Sequence, residues 1–268
     1  MRPFTLITAV FALLSTPLSS HEFWISPDSY SVDAGASMSA AFRVGQNFEG
    51  SSYSFIEFRS ERFDMVTADG TAPVPARMGD RPALNITRDT DGLVVIVHET
   101  STSSLTYTEW EKFVKFVDHK DFAGLYDAHA ARDLPQQDFV ESYARFAKSL
   151  IAVGDGAGTD SFSGLKTEIV AVTNPFTDDL SNGMVVDVIY DGAARPDAQI
   201  ELFEKSPTGE VEITLHRTDE TGRGSFPVKP GYEYLVDAVV IEDTGNDDAT
   251  AGPVWHTLWA SLTFQVPN

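Results

Sequence analysis

From residue 21 to about Tyr107, apolar and polar positions alternate in short runs. Ser37-Met-Ser-Ala-Ala-Phe-Arg-Val44 and Ser54-Phe-Ile-Glu-Phe-Arg59 mix aromatic, apolar and polar residues in rough alternation, and Gly92-Leu-Val-Val-Ile-Val97 is a continuous apolar run. Turn residues at Asp33-Ala-Gly35, Asp69-Gly70, Gly79-Asp80 and Asp91-Gly92 separate these runs. Short, punctuated strands of this kind predict a β-sandwich or barrel.

The period then changes. Thr108 followed three residues later by Glu111 has the form of a capping box. Trp110, Phe113, Val114 and Val117 fall on one helical face, so the pattern predicts a helix there. A second helix is expected near Phe122 to Ala131. A third is expected after Pro135, with Phe139, Tyr143, Phe146 and Leu150 as its apolar stripe and Glu141–Arg145 as an i,i+4 pair. Val153-Gly-Asp-Gly-Ala-Gly-Thr-Asp160 reads as a linker. Asp155 and Asp160 could hold a cation, but the spacing lacks the odd-position acids and terminal Glu of a calcium loop.

Strands return from Lys166. Met184 to Tyr190, Ala198 to Phe203, Tyr232 to Ile241 and Trp255 to Val266 carry strand patterning, and Thr218 to Phe226 is a tight turn entering a strand. The expected fold class is therefore mainly β: two antiparallel β-sandwich domains with a helical insertion between them. The boundaries are a signal peptide over 1–20, an N-terminal β domain over 21–107, the helical insertion over 108–152, a linker over 153–165 and a C-terminal β-sandwich over 166–268.

The signal segment changes what the rest can do. Arg2 is a positive n-region, Phe4 to Leu14 an uncharged apolar run, and Ser15 to Ser20 a polar tail. This is too short and wrongly flanked for a membrane span. Leu18 stands at −3 and Ser20 at −1 of a cut that makes His21 the first residue. Export, with a periplasmic destination, is the resulting expectation, and no membrane span is expected in the mature chain. The formal net charge of −21 argues against nucleic acid as a partner. The chain has no cysteine, which excludes disulfides, thiolate catalysis and thiolate metal sites. No Gly-x-Ser-x-Gly elbow, phosphate loop or His-Glu-x-x-His motif is present, and the chain reads as a non-enzyme.

The remaining candidate chemistry lies in six histidines. His216, beside a hairpin turn, reads as an ordinary surface residue. His21 is different: as a processed terminus it offers an α-amine and an imidazole Nδ1, two nitrogens that close a chelate ring. Both can lose a proton to a metal near neutral pH. Such donors suit nickel, cobalt, copper and zinc. One residue cannot complete a coordination sphere, so His256, His98, His119 and His129 are the candidates to join it, the first two ahead of the others.

His21-Glu-Phe-Trp24 after a signal peptide resembles the opening of domain-of-unknown-function family 4198, a family associated with periplasmic nickel or cobalt uptake. Glu141-Ser-Tyr-Ala-Arg-Phe-Ala-Lys148 resembles its helical signature, Glu168-Ile-Val-Ala-Val-Thr-Asn-Pro175 the start of its second domain, and Trp255 to Phe264 its closing strand. The resemblance implies two β domains with a helical insertion and a metal-related role. In its helix Tyr143, Arg145 and Lys148 would pack and pair. Asp219 to Phe226 followed by Pro230-Gly231 resembles prealbumin-like modules, which gives the second sandwich a prealbumin- or immunoglobulin-like character. The function expected is binding of a divalent transition metal through His21, accompanying its uptake by an inner-membrane metal transporter. The alternative is a metal-free adhesion or scaffold protein binding a protein or glycan. A copper oxidase, with His21 and a second His as a brace, ranks last.

Overall fold

The apolar run at residues 93–97 serves two cores at once. Leu93, Val95 and Val97 enter one, Val94 and Ile96 the other. A strand buried on both faces loses its period-2 signature, because both alternating sets must be apolar.

The computed structural model describes residues 21–268; the signal segment read over 1–20 lies outside the described residues. The first half runs β1 (Glu22–Pro27), β2 (Ser31–Val32), β3 (Ser37–Gln46), β4 (Glu49–Tyr53), a 3-10 turn at Glu57–Arg59, β5 (Ser60–Thr67), β6 (Gly70–Pro73), β7 (Leu84–Thr87), β8 (Gly92–Thr100) and β9 (Ser103–Tyr107). Helices α1 (Trp110–His119) and α2 (Leu125–Ala131) follow, then β10 (Phe139–Val153). The second half holds β11 (Thr167–Ala171), β12 (Met184–Tyr190), β13 (Ala193–Ala194), β14 (Gln199–Lys205), β15 (Val211–Arg217), β16 (Arg223–Phe226), β17 (Glu233–Asp243) and β18 (Pro253–Gln265).

The protein is mainly β, and its sheets stack in layers. The central sheet is ordered β15-β14-β17-β18-β10-β8-β5-β6, with β2 and β9 pairing onto β10, so it draws strands from both halves of the chain. One face of it packs on a sheet of β11, β12, β13 and β16, through Ile169, Val186 and Val188 against Phe146, Val236 and Leu258. On the other face a sheet of β1, β3, β4 and β7 covers the first-half strands, through Ile25, Met38 and Phe42 against Phe63, Ile96 and Ile151. Trp24 of β1 and Phe48 in the β3–β4 turn also reach Phe203 and Leu235 of the second half, and the two helices cover a further part of the face, with Phe113 and Phe116 packed against Trp255 and Trp259. Pairing is antiparallel except that β10 runs parallel to β18 and β2.

Three local expectations change. The third helix does not form: Phe139–Val153 is a fifteen-residue strand. Its Ala144, Phe146 and Leu150 enter one core, and Ala147, Ile151 and Val153 the other. The apolar spacing that mimics a helical stripe is a subset of positions buried on two faces, which periodicity alone cannot separate from a helix. Glu141 and Arg145 are accordingly not an i,i+4 helix pair. The segment 54–59 is mostly loop and 3-10 turn, and the strand starts at Ser60. No capping box closes α1: its N-cap is Glu109, without a side-chain hydrogen bond.

Candidate functional site

Two acidic residues interrupt apolar strands on the helix-covered face of the central sheet. Glu201 on β14 and Asp237 on β17 stand opposite each other in register, and both are buried. Buried carboxylates need partners. Lys120, just past the end of α1, supplies one: its Nζ lies 2.6 Å from Glu201 and 2.8 Å from Asp237, and 4.8 Å over the Trp259 ring. His119 Nε2 is 3.2 Å from the other Glu201 oxygen. Burial favours the neutral form of Glu201, yet hydrogen bonds from His119 and Lys120 hold its carboxyl at about 2. The Glu201 hydrogen bond raises His119. Burial raises Asp237 above the ordinary carboxylate range despite Lys120.

The start of β1 meets this row. Glu22 is buried and its Oε2 has no hydrogen-bond partner. Burial, then the Asp237 charge, pushes its carboxyl up to about 7. Next to it the exposed His21 opens onto a cleft of about 700 Å³, which His119, Lys120, Tyr143, Arg145 and Trp259 also line. Arg145, stacked 4.7 Å over Tyr143, donates to the His21 carbonyl at 3.2 Å and ties the residue just before β1 to β10. Lys112 and Lys115 of α1 also line it.

The structure brings His21 and His119 to one cleft and places the other sequence candidates elsewhere. His98 lies in an aromatic cage, 4.2 Å from the Phe42 ring and 2.9 Å from Ser60 Oγ, and burial depresses it to about 3. His129 is buried, with both ring nitrogens hydrogen-bonded within the protein. His256 is half-buried on β18, its Nδ1 2.8 Å from Ser142 Oγ. His216 pairs with Thr214 on the outer strand β15. Among the described residues, no group of three or more His, Asp or Glu side chains is arranged to hold a metal ion. Lys120 and Arg145 were missed as cleft residues and Glu201 and Asp237 as the acids buried beneath Lys120, although an acid inside Ile200-Glu-Leu-Phe203 or Leu235-Val-Asp-Ala-Val239 is a signal of a buried polar site. Asp155 accepts from Ala157 N–H and Asp160 is tied to Lys148, so the Gly-rich connection has no acid pair free for a cation.

Among the described residues, no helix is long and apolar enough to cross a membrane. No curated protein matches the sequence. Two solved structures are similar over most of its length. One is a tetra-tandem repeat in the extending region of a large adhesion protein, at 10% identity and a TM-score of 0.21, covering 92% of this chain and 50% of that one. The chain thus spans about half the length of that structure. The other is the D0-D1 domain of Intimin, at 13% identity and a TM-score of 0.21, covering 91% of this chain and 97% of that one. Neither superposition is close enough to carry an argument. The family model described as "Domain of unknown function (DUF4198)" matches residues 18–242, and the chain belongs to that family.

Proposed function

We propose that this is an exported, periplasmic protein that binds a divalent transition metal through its processed amino terminus and accompanies the metal's uptake by a membrane transporter. The carrying observation is that His21 and His119 line one cleft, while His98 and His129 are sealed into cores. Processing before His21 supplies an α-amine beside its imidazole. With His119 this makes three nitrogen donors from two residues, a set suited to nickel, cobalt, copper or zinc. His119 keeps Nδ1 for a metal while Glu201 holds Nε2, the outer-shell arrangement that orients ligating imidazoles.

The test is calorimetry with each of the four metals on protein that begins at His21, against protein carrying one extra residue before it. A large loss of affinity in the extended form is expected. Equal affinity would sink the chelate. Mass spectrometry of the exported protein decides independently whether His21 is the first residue.

A further inference from the structure

Away from the cleft, one lysine is buried against two carboxylates. Lys148 on β10, Asp160 in the connection after it and Glu168 on β11 have side chains 1%, 2% and 0% exposed. Lys148 Nζ lies 2.8 Å from both Asp160 oxygens and 2.8 Å from Glu168 Oε1. Its further contact is the Ser161 carbonyl at 3.4 Å. On the same face of β10, Phe146 and Leu150 belong to the large core, as do Leu165 and Ala171 beside the two acids. A nucleophile and a carboxyl group are thus held together where water is scarce.

We propose that Lys148 and Asp160 condense to an intramolecular amide, with Glu168 as the general base. The step balances without an outside reagent. The ammonium gives a proton to Glu168, and the Nζ lone pair attacks Asp160 Cγ. The C–N bond forms, one C–O bond of the Asp160 carboxyl breaks, and that oxygen leaves as water with two protons from Nζ delivered through Glu168. Glu168 ends unchanged, and one ammonium and one carboxylate become a neutral amide.

Each part has a physical support. Proximity of this kind replaces a bimolecular encounter and removes much of the barrier. Backbone N–H groups of Ala171 and Ser161 donate to the two Asp160 oxygens at 2.8 Å, where charge develops as the carbonyl is attacked. Ser163 and Leu165 N–H groups donate to Glu168 and fix its carboxyl toward Nζ. Burial raises Asp160, which eases the arrival on its carboxyl oxygen of the protons released from Nζ. The product removes two charges from a site where charge is costly. It would also give a cysteine-free chain a covalent loop closure.

Peptide mapping of the intact protein tests this independently of the metal reading. Residues 146–166 contain Lys148 and Lys166 as the only tryptic sites, and an acylated Lys148 resists trypsin. The expected product is one looped peptide over 146–166, uncut at Lys148 and lighter by the mass of one water. Separate unmodified peptides over 146–148 and 149–166 would overturn the proposal. So would a water loss confined to 149–166, which marks a cyclic imide at Asp160. Glu168→Gln is expected to restore the two linear peptides, and a looped peptide in that variant would overturn the base role of Glu168. The wild-type map decides the amide even where the variant fails to fold.

Discussion

The indole N–H of Trp255 donates to Nδ1 of His129 at 3.1 Å, across a gap of well over a hundred residues in sequence. Because Nδ1 accepts, Nε2 carries the proton, and it donates to the Pro135 carbonyl at 3.0 Å. The ring also contacts Trp110, Phe113 and Phe139. Both nitrogens are committed, so this histidine pins α2 to β18. His129→Ala should destabilise the fold by about 2–4 kcal/mol, the sum of a cavity and an orphaned indole N–H. Denaturant titration reads the loss, and metal affinity should not change.

His119 and His256 provide the opposite contrast. His119→Ala should weaken metal binding by about 10- to 100-fold, the scale of losing one ligand or its orienting contact. His256→Ala, at a residue outside the cleft lining whose Nδ1 is held by Ser142, should leave calorimetric affinity at the wild-type value. A larger effect at His256 would contradict the assignment of the site to the cleft.

Lys120 is the single buried cation facing Glu201 and Asp237. Lys120→Met keeps the volume but leaves two carboxylates facing each other in the core. Breaking a buried pair in this way costs about 3–5 kcal/mol. The double variant Lys120→Met, Asp237→Leu should recover part of that loss, because it removes one stranded charge. Equilibrium unfolding of the two variants side by side checks both statements.

The sequence was most legible where one face of an element meets solvent or a single core. The strands at Ser37–Gln46, Met184–Tyr190 and Gln199–Lys205 follow their apolar patterning, and Trp110, Phe113 and Val117 mark α1. It misled at Phe139–Val153, where burial on both faces erases the period that distinguishes strand from helix. Of the candidate site the sequence singled out His21, and named His119 only as one of four histidines that could join it. His119 reaches the cleft because α1 ends over the polar row of β14 and β17, a relation set by packing between segments eighty residues apart or more. Counting histidines could not rank it above His98, whose aromatic cage is assembled from β1, β3 and β5.

Two buried groups set opposite limits on the pH range of stability. Glu141 accepts from Tyr107 Oη at 3.0 Å and from Thr257 Oγ1, and burial outweighs these bonds to push its carboxyl from 4.5 up to about 7. Its folded form holds a proton that the unfolded chain releases. The stability this group contributes is full below pH 4.5 and is lost as pH rises through about 7, in total about 3 kcal/mol. His98 acts in reverse. Burial lowers it from 6.5 to about 3, so its contribution is full above pH 6.5 and is lost as pH falls toward 3, with about 2 kcal/mol gone at pH 5. Glu141→Gln, an isostere of the protonated acid, should therefore be more stable than wild type at pH 8 and similar at pH 4. His98→Phe should resist acid better, with its advantage over wild type growing between pH 6.5 and 4. Unfolding free energies of the three proteins across pH 4–8 check both signs. Parallel curves would refute the protonation assignments, because a purely steric effect of either substitution does not change with pH.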